Sequence, residues 1–166
     1  MSGLREGTIG LAALSAVLSF LRSEGAAYDL ITARAGEYAA DWTVNSLQPL
    51  ERRLIRALPS ALRLRAAMRT ARSLVRQTYP GSRAIVRVKR GNARVDLRGS
   101  LFCEVREAPV LPLCGFYAAA FARVLQLFAL RASARVNECR AGGRAKGCQL
   151  SVVVVSGASA DEPVAT

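Results

Sequence analysis

Hydrophobic and polar positions along this chain change their period near residue 80. Before that point apolar residues recur at helical spacing, and after it they alternate with charged ones. The first apolar run, residues 9–21, is too short to cross a bilayer as a helix. Ile9, Ala13, Val17 and Leu21 fall on one side of it, as the buried stripe of a core helix would. The competing reading of residues 1–25 is a targeting segment: Arg5 precedes the run and Gly25, Ala26 and Ala27 follow it, although Glu6 weakens the basic start. Residues 29–46 predict a second helix that carries Tyr38 and Trp42 one turn apart, with Gly36 placed either to break it or to admit another backbone. Pro49 opens a third helical stretch to Leu58, and Pro59 resets the chain. Residues 62–77 then separate into an apolar stripe (Leu64, Met68, Ala71, Val75) and a basic one (Arg65, Arg69, Arg72, Arg76).

Beyond Tyr79, Pro80 and Gly81, residues 85–89 and 93–98 alternate Val and Leu with Arg, Lys and Asp. They predict a hairpin with one wet face, turning at Gly91 and Asn92. A third extended piece, 100–105, carries Cys103, and Pro109 and Pro112 end the sheet run. Residues 115–130 are apolar on nearly every side, which predicts a central helix. Residues 131–138 and 149–155 are expected to be extended, the valines at 152–155 marking an inner strand, with a glycine-rich turn between them. The predicted fold is α/β in the α+β sense: a helical N-terminal half packed on an antiparallel sheet, with one central helix inserted before the last two strands. Residues 1–155 are expected to form a single domain, and 156–166 a flexible tail.

Composition narrows the chemistry. An apolar fraction of 51% over 166 residues provides material for a core. The formal charge is +12, almost all of it arginine, and the basic stripe at 65–76 is the solvated face of an amphipathic helix. No aromatic or recognition signature accompanies it, which argues against nucleic acid and leaves peripheral contact with an acidic membrane as its alternative use. Histidine is absent, excluding imidazole acid–base catalysis and histidine-ligated haem. No glycine-rich dinucleotide fingerprint follows a strand, so NAD is not expected. Four cysteines in a chain read as cytoplasmic suggest metal binding or plain burial before disulfides.

The order of motifs resembles the 4-vinyl reductase domain family: Pro-Leu-Cys114-Gly-Phe116-Tyr117-Ala-Ala heading a central helix, then Glu138-Cys139, glycines, Cys148 and a final strand. The stretch 56–79 is similar to the bacteriochlorophyll-pathway member. The resemblance implies a mixed fold shared with transport-particle subunits of the secretory pathway and with haem-based nitric-oxide sensors. It also implies a zinc ion, held in the family's phenol-sensing regulators by three cysteines and a glutamate. Here the cysteines correspond to Cys114, Cys139 and Cys148. The glutamate's usual place holds Val136, so Cys103 is the fourth candidate and Glu138 the alternative. Glu138 points away from its neighbour Cys139 on a regular strand, unless the strand bulges.

The function that follows is a domain holding a hydrophobic or aromatic small molecule, a tetrapyrrole of bacteriochlorophyll synthesis being the family's suggestion, with Tyr38, Trp42, Phe116, Tyr117 and Phe121 as lining. A homodimer through the N-terminal helices is expected. The alternative is a scaffold subunit with no ligand chemistry. The sequence points to binding in preference to catalysis, because Asp96, Glu104 and Glu107 have no recognisable catalytic partner.

Overall fold

The described residues form five α-helices and a four-stranded antiparallel sheet, in the order α1 (Leu11–Ser23), α2 (Ala26–Asn45), α3 (Pro49–Ala57), α4 (Ser60–Thr78), β1 (Arg83–Lys89), β2 (Asn92–Arg98), α5 (Gly115–Leu127), β3 (Ala132–Glu138) and β4 (Cys148–Val154). The computed structural model describes residues 11–23, 25–79, 81–89, 91–103, 112–143 and 146–155. The expectations for Ile9, for residues 104–105, for Pro109 and for the tail at 156–166 fall outside the described residues. Among those described, no helix is long and apolar enough to cross a membrane.

The sheet order is β1-β2-β4-β3, so the valine-rich last strand is an inner one, as its composition predicts. Asn92, expected in the turn, instead begins β2 and pairs with Lys89, and Gly91 stays in the turn with a φ of 77°. Ala84, Ala93, Val95, Leu97, Leu150 and Val152 are buried on the inner face, and the arginines Arg83, Arg87, Arg94 and Arg98 stay on the outer one.

Helix α5 lies on β3 and β4 of this sheet, α4 lies beside it along β1, and α2 packs over α5. Phe116, Tyr117, Ala120, Phe121, Val124 and Leu125 are all buried, and each large one contributes about 1.5–3 kcal/mol by leaving water. Gly36 of α2 meets α5 face to face: a Cβ there would overlap the carbonyl oxygen of Phe116 and sit 3.2 Å from the Ala120 nitrogen. Of the two roles open to this glycine, the structure therefore uses backbone approach, and α2 runs through it unbroken.

Three expectations change. Helix α1 forms, but its inner face is Leu14, Leu18 and Leu21; Ala13 and Val17 face outward, because the helix touches the body of the protein along a narrower stripe than the run suggests. The third extended piece is a 3-10 turn at Leu101–Cys103. Gly99, at φ 65°, turns the chain off the sheet, and three consecutive residues are then buried, which a strand with one inner face cannot do. Helix α5 stops at Leu127. Leu130 N donates to Leu125 O and Ala129 N to Gln126 O, a Schellman turn in which Ala129 takes the left-handed φ of 56° that usually belongs to glycine. Arg56 Nε and Arg63 Nη1 donate to the carbonyls of Leu127 and Ala129, satisfying the exposed acceptors at this helix end.

Two substitutions test these contacts by chemical denaturation. Gly36→Ala is expected to destabilise the fold by about 3 kcal/mol, because neither backbone can yield. Ala129→Gly is expected to stabilise it by about 1 kcal/mol, by removing the left-handed penalty.

Candidate metal centre

The four cysteines reach one point from four different pieces of chain. Cys114 is the N-cap residue of α5, Cys103 ends the 3-10 turn, Cys139 follows β3 and Cys148 begins β4. Their sulfur atoms all lie within 4.8 Å of one another. Cys103 Sγ is 2.9 Å from Cys114, 3.2 Å from Cys148 and 3.4 Å from Cys139. Cys148 Sγ is 3.1 Å from Cys114 and 3.9 Å from Cys139. All four are free thiols.

A bulge in β3 makes this convergence possible. Val136 pairs with Leu150 and Glu138 with Gln149, so β3 advances two residues while β4 advances one. Ala132, Ala134 and Val136 pack toward the core on even positions, and the extra residue moves Cys139 onto that same face. Glu138 is thereby left exposed on the outer surface beside Asp96 and Arg98. The place beside Cys114, Cys139 and Cys148 is taken by Cys103, and Val136 is partly buried against the core.

Neighbouring groups fix the sulfurs. The Arg140 backbone N–H donates to Cys148 Sγ at 3.3 Å, and the buried Ser100 hydroxyl lies 3.6 Å from Cys114 Sγ. The N-terminal helices hold the two turns that carry Cys103 and Cys114. Arg22 Nη2 donates to the carbonyl of Phe102, and the Tyr28 hydroxyl donates to that of Leu113, each one residue ahead of a cysteine. Phe102 also stacks on Phe116 at 4.8 Å and meets Tyr117 edge-on. Sequence reasoning missed Tyr28, Arg22 and Ser100: nothing local to Arg22 or Tyr28 signals a neighbour 80 or 85 positions away, and nothing local to Ser100 signals that the chain folds back on Cys114, 14 positions on.

Four sulfurs at these separations suit a single tetrahedral ion. A metal–sulfur distance of about 2.3 Å gives a tetrahedral edge of about 3.8 Å; the separations given above run from 2.9 to 3.9 Å, and every pair, Cys114–Cys139 included, lies within 4.8 Å. A polynuclear cluster would require the sulfurs to stand outside several metal atoms, farther apart than they are. Without an ion the thiols share protons unequally. Contact with Cys103 first, then with Cys139, pushes Cys114 and Cys148 up from the ordinary thiol range, and burial adds to it. Cys103 is pulled down chiefly by Cys114, and Cys139 chiefly by Cys103. A bound cation would displace these protons. The set can hold a metal, and with four protein donors it leaves no open position for substrate.

No protein-family model matches the sequence, and no curated protein matches it. Among solved structures the chain is similar to the phenol-responsive sensory domain of the transcription activator PoxR with phenol, at 15% identity and a TM-score of 0.58 over 87% of this chain and 74% of that one. It is also similar to trafficking protein particle complex subunit 3 from Naegleria fowleri covalently bound to palmitic acid, at 13% identity and a TM-score of 0.53 over 92% and 87% of the two chains. At such identities the likeness shows a shared fold.

The five aromatic candidates are separated. Phe116, Tyr117 and Phe121 belong to the core, at 7%, 0% and 0% exposure, whereas Tyr38 and Trp42 stand on the outer face of α2 at 70% and 78%. They do not face one common space: α2 meets α5 at Gly36, and Tyr38 and Trp42 are on the side of α2 turned to solvent. Trp42 instead borders an open groove of about 600 Å³ between α2 and α4, beside Ala39, Ser46, Leu74 and Gln77.

Burial of two tyrosines near the cysteines gives an alkaline signature. Tyr28 and Tyr117 are each pushed up to about 12 by loss of hydration. An unfolded phenol ionises near 10, so between pH 10 and 12 the unfolded state sheds protons that the folded state keeps. Stability is full below pH 10 and falls as pH rises to 12. Tyr117→Phe is expected to remove on the order of 2–3 kcal/mol of that alkaline loss, read as a flatter unfolding temperature against pH.

Proposed function

We propose that residues 1–155 act as a small-molecule-binding domain of the 4-vinyl reductase type, clasped by one zinc ion at Cys103, Cys114, Cys139 and Cys148, with 156–166 as a tail. The zinc would be structural: it would supply a crosslink among α5, the adjoining ends of β3 and β4 and the 3-10 turn. The ligand class is a flat hydrophobic or aromatic molecule, the tetrapyrroles of bacteriochlorophyll synthesis being the candidate that the sequence resemblance implies. Its proposed seat is the open face of α2 at Tyr38 and Trp42, with Phe116, Tyr117 and Phe121 packed beneath as the floor that holds α2 in place.

The observation that carries the reading is Trp42, an almost fully exposed tryptophan at the mouth of a groove. An exposed ring of that size is explained by something that covers it. A partner subunit would also cover it. Leu30, Tyr38 and Trp42 follow one another along the same side of α2 at 71%, 70% and 78% exposure, which favours a homodimer or scaffold contact as the second reading.

Because Trp42 is the only tryptophan, its fluorescence separates the two readings. Titration with a metal-free porphyrin at fixed protein concentration is expected to quench Trp42 saturably. If emission shifts only as protein concentration rises, and porphyrin leaves it unchanged, the surface belongs to a partner chain and the ligand reading fails. Native mass spectrometry of protein from its own host is expected to show a co-purified hydrophobic molecule.

For the clasp, elemental analysis is expected to find about one zinc per chain, and Cys103→Ser to lose most of it and lower the unfolding temperature. A metal-free protein of unchanged stability in a strong chelator would count against it.

A further inference from the structure

A second cleft lies at the opposite end of the sheet from the cysteines, where the start of α4 meets the ends of β1, β4 and α5. It holds about 660 Å³, inside the range of roughly 300–1,000 Å³ usual for small-molecule sites. It is separated from the Trp42 groove by about 20 Å along α4. Its floor is apolar, made by Leu64, Val88, Leu130 and Val154, and the charged residues lining it are Arg63, Arg65 and Arg131, with no acid among the lining residues.

The arginines differ in role. Arg63 is half-buried and held rigid: Nε and Nη2 donate to the Leu58 carbonyl and Nη1 to that of Ala129. These bonds use three of the five N–H donors of a guanidinium and leave two for a ligand. Arg65 and Arg131 are exposed, and among the described residues neither is paired with a carboxylate. A neutral oil would leave three guanidiniums facing it unanswered, and a bare inorganic anion would leave the apolar floor wet.

We infer that this cleft binds a small amphiphile with an apolar body and a carboxylate head, the body on Leu64, Val88, Leu130 and Val154 and the head among Arg63, Arg65 and Arg131. A planar carboxylate matches the fork of a guanidinium, and a chain of net charge +12 raises the local concentration of any anion. The inference deepens the ligand-binding reading and rests on it for the class of protein, while placing a site on different residues.

Calorimetry on the full chain with octanoate, octan-1-ol and octylammonium tests it, since the three share a tail and differ in head. Octanoate is expected to bind saturably at a single site, octan-1-ol at least about tenfold more weakly, and octylammonium not at all. The double variant Arg65→Gln/Arg131→Gln, which leaves the Arg63 helix cap in place, is expected to weaken octanoate by about tenfold or more with an unchanged unfolding temperature. Equal affinity for the acid and the alcohol, indifference to the double variant, or no octanoate binding below about 1 mM would each overturn the assignment. A protein that quenches with porphyrin at Trp42 yet ignores octanoate loses only this cleft. One that binds octanoate without any response at Trp42 loses only the groove.

Discussion

Helix α5 is apolar except for a narrow strip at Arg123 and Gln126, and the packing around it answers that constraint. A helix apolar on nearly all sides must be covered on nearly all sides, here by the sheet beneath, by α4 alongside and by α2 above. The covering is tight enough that α2 needs a glycine where it meets Phe116. The same closeness leaves no room for a ligand between α2 and α5 at Gly36. Large side chains that look like lining in the sequence become packing in the fold.

The cysteine centre is built on the ends of that arrangement. Cys114 stands at the head of α5, Cys139 and Cys148 at adjacent sheet ends, and Cys103 on a turn that Gly99 directs inward. Each sulfur is near the others only because helix and sheet are already packed, so a metal there would report on the fold as much as stabilise it. Arg22 and Tyr28 extend this dependence to the first two helices through the carbonyls of Phe102 and Leu113. Buried cysteines without metal are ordinary in cores, but four sulfurs converging from four chain segments are a more specific arrangement than burial of small apolar thiols needs.

Charge is distributed to suit this architecture. The arginines of α4 predicted to be solvated, Arg65, Arg69, Arg72 and Arg76, are all exposed. Others have structural tasks that composition does not disclose: Arg56 and Arg63 cap the end of α5, and Arg123 pairs with Asp41 to tie α5 to α2 at 3.0 Å. A strongly basic sequence therefore contains both free and committed guanidiniums, and only contacts across the chain distinguish them.

The period of the sequence determined the element types, the helical first half, the hairpin, the buried central helix and the inner last strand, because each follows from spacing within a few residues. It also supplied the set of four cysteines, through their residue type and their order. Tertiary structure alone decided that Cys103 and not Glu138 completes the set, since a single-residue bulge determines which of two neighbours faces inward. It decided, too, that Tyr38 and Trp42 face out while Phe116, Tyr117 and Phe121 face in. Two aromatic residues one turn apart share a helix face whichever way that face points, and the direction is set by what the helix packs against, here a backbone at Gly36.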